Sequence, residues 1–169
     1  MGYAELHCIS NFSFLRGASH PHELVERAIE LDYQALAITD ECSLAGVVRA
    51  HIAAKSSSLK LIIGAEFFLS EGLHLVLIAP NRRAYGELSG LITRARLNSP
   101  KGEYQLSLND CAQNTSHCLA IWMPTYEQHC FAQQAPYATT LTEVFKKRLW
   151  LGFSRLHRHG EQAFYERCH

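Results

Sequence analysis

The sequence predicts an α/β fold with a parallel-rich sheet, closed as a barrel or left open. Short apolar runs of strand length alternate with segments of helical periodicity, the order expected of strand–helix–strand units. Several of the runs are apolar throughout, as befits strands covered on both faces. Polar or charged residues stand at or near the ends of these runs, where parallel sheets collect ligands and catalytic groups.

The first run, residues 3–9, carries His7 near its end and passes into a polar turn. Residues 21–31 read as a helix, with Ser19 or His20 as cap and Pro21 in the first turn. Residues 35–39 form a second strand that delivers Asp40 and Glu41 to its C-terminal end. A helix over about 44–55 follows, with Ser43 as its cap. Residues 61–69 form a third strand with Glu66 inside an otherwise apolar segment. Glu71-Gly72 makes a tight turn into a fourth strand over 73–79, pairing antiparallel with the third. A helix runs over about 82–96, with Tyr85, Leu88, Leu91, Ile92 and Ala95 at helical spacing.

Residues 98–104 read as a polar loop, the most weakly patterned stretch up to that point and a candidate mobile segment. Beyond it come a short helix at 106–111 and a fifth strand at 118–123, ended by Pro124. A helix is expected from near Tyr126, broken around residues 133–136. Another short helix at 141–147, a sixth strand at 149–153 and an element over 160–169 complete the chain. The sequence offers no further strand to close a barrel, so a truncated single domain over 1–169 is expected.

Composition narrows the function classes. The chain has 169 residues, 47% of them hydrophobic, enough for a sizeable core. Sixteen basic residues balance sixteen acidic ones, so no global charge draws the chain to nucleic acid or a membrane. The six cysteines form no CxxC pair, which argues against a common structural zinc site. Cys8, Cys42 and Cys118 sit in or beside apolar runs and read as small core hydrophobes. With no signal peptide and no apolar run of spanning length, a cytoplasmic location with reduced thiols is expected.

His7, Asp40-Glu41, Glu66 and His74 interrupt or end apolar strands. A buried carboxylate such as Glu66 needs a cation, a metal or a shifted pKa. If the strands are neighbours, their ends bring imidazole and carboxylate together. Mixed ligation of that kind suits zinc, manganese or iron and supports phosphoester hydrolysis through a metal-bound hydroxide. Simpler readings stand beside this one. His74 is exposed near its turn, Glu66 pairs with a base on the next helix, and Asp40 caps the following helix or braces a turn. Arg82-Arg83 and Lys146-Lys147-Arg148 read as solvated faces.

Residues 5–19, from Glu5-Leu6-His7 to Arg16-Gly17-Ala18-Ser19, resemble the opening of the PHP (polymerase and histidinol phosphatase) domain of bacterial C-family DNA polymerases. Residues 35–46, 62–66 and 74–79 resemble that family's next three motifs. Cys8-Ile9-Ser10 and Asp40-Glu41-Cys42 are closest to the error-prone branch. The resemblance is close through residue 97 and looser over 98–169. It implies a distorted (β/α) barrel, incomplete here, whose active members hold up to three metals at the strand C-termini.

Carried over by position, His7 matches the first ligand of a His-x-His pair. Glu66 matches a bridging carboxylate and His74 a later histidine. Glu41 replaces the histidine of Thr-Asp-His. Ile9 stands where the second histidine belongs, and Arg16 where active members have an aspartate. The stretch around Trp122-Met123-Pro124 lacks the expected Cys or His, and a closing Asp-x-His would lie past His169. The implied site is therefore a vestige of His7, Glu41, Glu66 and His74, with Arg16 paired to Glu41 or Glu66 in place of metal.

The resemblance implies the PHP region of an error-prone polymerase, a nucleotidyltransferase of translesion synthesis and DNA repair. The piece itself is expected to be a scaffold without polymerase activity. DNA would be contacted through polymerase domains absent here, with other translesion-synthesis proteins as further partners and no membrane. Magnesium belongs to the parent polymerase only, and zinc or manganese to a residual PHP site. Two other readings are a stand-alone metal-dependent phosphoesterase or 3′–5′ exonuclease, and an open-barrel remnant that folds poorly.

Overall fold

A computed structural model describes residues 2–124, 134–154 and 161–168. The elements follow in the order β1 (Ala4–Cys8), α1 (Pro21–Glu30), β2 (Ala35–Ile38), α2 (Val47–Ala54), β3 (Lys60–Phe68), β4 (His74–Ile78), α3 (Arg82–Leu97), α4 (Leu108–Asn114), β5 (Leu119–Trp122), α5 (Tyr137–Phe145), β6 (Leu149–Leu151) and α6 (Glu161–Cys168). The helix expected from near Tyr126 falls outside the described residues.

Among the described residues, six strands form one sheet in sequence order. β1, β2 and β3 are mutually parallel, β4 is antiparallel to both β3 and β5, and β6 is parallel to β5. Five strands therefore point one way and β4 alone is reversed. The reversal follows from the tight turn at Glu71-Gly72, where Gly72 takes φ +76°. A turn this short joins only antiparallel strands.

The sheet is curled. Its two edge strands line one cavity of about 920 Å³, with Glu5 and His7 on one side, Trp150 and Leu151 on the other, and Ile62 and Ile121 between them. This is the incomplete barrel the sequence implies. The concave face is carpeted by Val76, Ile78 and Met123, with Ile62, Leu119 and Ile121 packed against them. Glu66 and His74 lie on the same face, at period-two spacing from Ile62 and from Val76.

Helices cover the convex face. Ala84, Leu88, Leu91 and Ala95 form the inward stripe of α3 and pack on Phe67, Leu75 and Leu77. A smaller cluster joins Val25 and Ala28 of α1, Leu36 and Ile38 of β2, and Ala50 and Ala54 of α2. β2 is buried at every position, as its unbroken apolar run predicts. Each fully buried leucine contributes about 1.5–3 kcal/mol of burial free energy.

Local chemistry shifts some boundaries. α2 starts at Val47 rather than 44, because residues 43–46 form a turn in which the Ser43 hydroxyl accepts from the Ala45 N–H. Its N-cap is Gly46, without a side-chain bond. The short helix expected at 106–111 runs later, because Ser107 and Asp110 form a reciprocal capping box at its start. α5 begins at Tyr137 and gives way to a 3-10 turn at Lys146–Arg148. β6 stops at Leu151 rather than 153.

Candidate functional site

Topology brings four chain segments to one end of the sheet. β1 ends just past His7, and β2 runs on through Asp40 and Glu41. An isolated parallel bridge joins Glu41 to Glu66, so the two carboxylates are strand neighbours. β4 is reversed, so its first residue, His74, pairs with Phe68 at the last position of β3. The diagonal neighbour of His74 on that face is Glu66, within reach of a long side chain.

Glu66 is the centre, and its side chain has no exposed surface. Its Oε2 accepts from Nε2 of His7 and from Nε2 of His74, each at 2.8 Å. Two imidazoles can share one carboxylate oxygen in this way only with a proton on each Nε2. Its Oε1 is held by Nη1 of Arg16. The same Nη1 reaches Oε2 of Glu41 at 2.8 Å. The Tyr104 hydroxyl donates to Oε1 of Glu41 at 3.0 Å and accepts from the Phe68 N–H at 2.9 Å.

Ring packing fixes the guanidinium. Arg16 Cζ lies 5.0 Å from the Phe68 ring centroid, and Phe68 stacks on His74 with centroids 4.4 Å apart. Burial on its own would raise the Glu66 pKa. Hydrogen bonds from His7 and His74 and the charge of Arg16 outweigh it and hold this carboxyl far below the usual carboxylate range. Burial also works against the Arg16 charge, but its bonds to Glu41 and Glu66 prevail and raise its pKa. Burial leads in keeping the Tyr104 phenol protonated, so it stays a donor to Glu41.

The segment that delivers Arg16 is braced by Asp40, which is almost fully buried. One of its oxygens accepts from the Ser10 N–H and the Ser13 hydroxyl, the other from the Ser10 hydroxyl, all at 2.7 Å. Asp40 thus braces a turn, and α2 receives no cap from it. Gly17 closes the same loop, where an added Cβ would collide with the Ser10 carbonyl oxygen. Leu15, just before Arg16, takes φ +60°, an uncommon conformation for a bulky residue.

Of the four expected ligands, His7, Glu66 and His74 come together, with donor atoms within 4.8 Å of one another. Such a spacing is close enough for an ion. As folded, however, both imidazole Nε2 protons and both Glu66 oxygens are engaged, and the guanidinium lies between the carboxylates. A divalent ion at this point would have to displace Arg16 and the Nε2 protons that face Glu66. As folded, these donors form an internal ion network with Arg16. Glu41 joins only through Arg16 and Tyr104. His74 is half-buried rather than exposed near its turn, and the partner of Glu66 comes from the β1–α1 loop, not the next helix. The polar reading of 98–104 hides Tyr104, a residue the sequence gives no reason to place here. Arg96 anchors it, with its guanidinium 5.3 Å from the Tyr104 ring and bonds to the Glu41 and Cys42 carbonyls.

The model of the PHP domain family matches residues 5–147. This chain belongs to the PHP family. Among curated relatives, the error-prone DNA polymerase of Saccharophagus degradans is 49% identical over 165 residues. That of Teredinibacter turnerae is 47% identical over 166 residues, and each match covers 98% of this chain and 16% of the relative. The error-prone DNA polymerase of Dechloromonas aromatica is 58% identical over 127 residues, 72% of this chain and 12% of the relative. The chain thus spans about a sixth of the polymerases it matches and corresponds to their N-terminal region. The PHP fold also extends to a crystal structure from Bifidobacterium adolescentis assigned as a metal-dependent phosphoesterase. The TM-score there is 0.65 at 15% identity, over 98% of this chain and 84% of that one.

Proposed function

We propose that this PHP domain is the scaffold module of an error-prone DNA polymerase, with Arg16 in the place of a catalytic metal. The observation that carries the reading is Arg16 Nη1 lying between the carboxylates of Glu41 and Glu66. The arginine is fixed in charge, needs no loading and ties the β1–α1 loop to β2 and β3. Nucleotidyl transfer, its magnesium, DNA contact and a part in translesion synthesis and repair belong in this reading to the longer protein, in the cytoplasm. The test is elemental analysis of purified protein after dialysis, with Glu66→Ala as control. Less than stoichiometric zinc or manganese in both proteins supports the scaffold. Stoichiometric metal that Glu66→Ala removes overturns it.

A second reading rests on the His7, Glu66 and His74 cluster, whose donors are of metal-ligating type. It makes the domain a metal-dependent phosphoesterase or 3′–5′ exonuclease holding zinc or manganese. Hydrolysis of p-nitrophenyl phosphate or of DNA 3′ ends, supported by added Mn²⁺ and abolished by His74→Ala, would establish it.

A further inference from the structure

The charge-neutral chain distributes its carboxylates unevenly. Neither residues 6–22 nor residues 42–65 contain Asp or Glu, although the chain has sixteen of them. These two stretches supply the β1–α1 loop and α2, which meet where the Arg49 guanidinium lies 5.6 Å from the Phe12 ring centroid. The inward stripe of α2 is Val47, Ala50 and Ala54. Its outward stripe is apolar as well. Val48 is 65% exposed and Ile52 67%, and Lys55 continues the same face one turn on. Arg49 and Lys55 are exposed beside this stripe. A helix apolar on two opposite faces has more hydrophobic surface than its own core uses. The neighbouring loop adds Phe14 and Leu15, 84% and 90% exposed.

From this we infer that the outward face of α2, with the Phe12–Arg49 contact at its edge, docks an acidic amphipathic protein segment. Its apolar side chains would cover Val48 and Ile52, and its carboxylates would meet Arg49 and Lys55. Charge complementarity selects the occupant, because neither Arg49 nor Lys55 is in an ion pair among the described residues, with Glu23, Glu26 and Glu30 of the packed helix α1 counted. Two bases beside the exposed Val48 and Ile52 favour a protein segment over nucleic acid, whose affinity rests on neutralising many phosphates. The surface lies on α2 and does not involve the Arg16 network, so this inference stands apart from the scaffold reading.

The test is fluorescence anisotropy of the 169-residue chain with a labelled amphipathic helical peptide bearing leucines on one face and glutamates beside them. A peptide with lysine in place of each glutamate and a single-stranded oligodeoxynucleotide of the same net charge serve as comparisons. The expected result is saturable binding of the acidic peptide only, weakened by added salt. Val48→Glu with Ile52→Glu should weaken it about tenfold or more. Should that pair disturb folding by circular dichroism, Val48→Ser with Ile52→Ser carries the same expectation. No saturable binding, equal binding of the lysine peptide, tighter binding of the oligonucleotide, or indifference to both variant pairs would overturn the inference. So would self-association in sedimentation that the same substitutions abolish, since a second copy would then be the occupant.

Discussion

The Arg16 guanidinium reaches fifty residues along the chain to the carboxylate of Glu66, whose side chain has no exposed surface. A buried carboxylate is tolerated only with partners on both oxygens, and here two imidazoles take one oxygen while the arginine takes the other. The contact neutralises the converging carboxylates of Glu41 and Glu66 and ties the β1–α1 loop to the strand ends.

Arg16→Ala should therefore destabilise the domain. Removing one partner of a buried pair costs about 3–5 kcal/mol. About a third of the Arg16 side chain is exposed, so solvent screening lowers the expected loss to about 2–3 kcal/mol. Arg16→Lys should recover only part of it, because an ammonium is more strongly hydrated than a guanidinium and stacks less well on Phe68. Urea denaturation of the three proteins checks both statements, and equal midpoints would contradict them.

Glu66→Gln should show its effect through pH. The folded state holds the Glu66 pKa below its ordinary value of 4.5, so the unfolded chain binds this proton more readily. The stabilisation is fully present above about pH 5 and is lost as acidification passes below that ordinary value. The stability gap between wild type and Glu66→Gln should narrow as pH falls from about 4.5 towards 3. A gap that widens in acid would be the wrong sign for this network.

Asp40→Ala should cost about 3 kcal/mol, since it leaves the Ser10 N–H and the Ser10 and Ser13 hydroxyls without their acceptor. It should also loosen the segment that carries Arg16. Faster amide hydrogen exchange at Arg16 and Gly17, which donate to the Ser13 carbonyl, is the local readout. Unchanged protection there would separate Asp40 from the positioning of Arg16.

Four thiols should be silent in the folded protein. Burial pushes Cys8 and Cys42 up to about 11 and Cys111 and Cys118 to about 12. The thiolate is the reactive form, so these four should resist alkylation at neutral pH and react once the chain is unfolded. Mass spectrometry of alkylated peptides from native and denatured protein distinguishes the two, and rapid native labelling of Cys111 would refute the packing around it.

Much of the fold was legible in the sequence because hydrophobic periodicity is local information. The β2 run, the α3 stripe and the Glu71-Gly72 turn each state their own conformation, and the turn also fixes β4 as antiparallel. His7, Glu41, Glu66 and His74 stood out as polar residues in apolar strands, a signal that needs no third dimension. Boundaries shifted where a single hydrogen bond decides them, as at Ser43, whose hydroxyl serves a turn, and at Ser107, which starts α4 through its capping box.

Which of those residues touch, and through which atoms, was settled by tertiary structure. Strand pairing sets Glu41 beside Glu66, and the reversal of β4 sets His74 across from Phe68. A loop braced by Asp40 turns Arg16 inward, and Arg96 holds Tyr104 against Glu41. Tyr104 carries no mark in the sequence, because its role depends on partners far along the chain and on the dry surroundings that keep its phenol a donor. Residue type announced the need for charge compensation at Glu66, and only the packed sheet determined that an arginine and two histidines supply it.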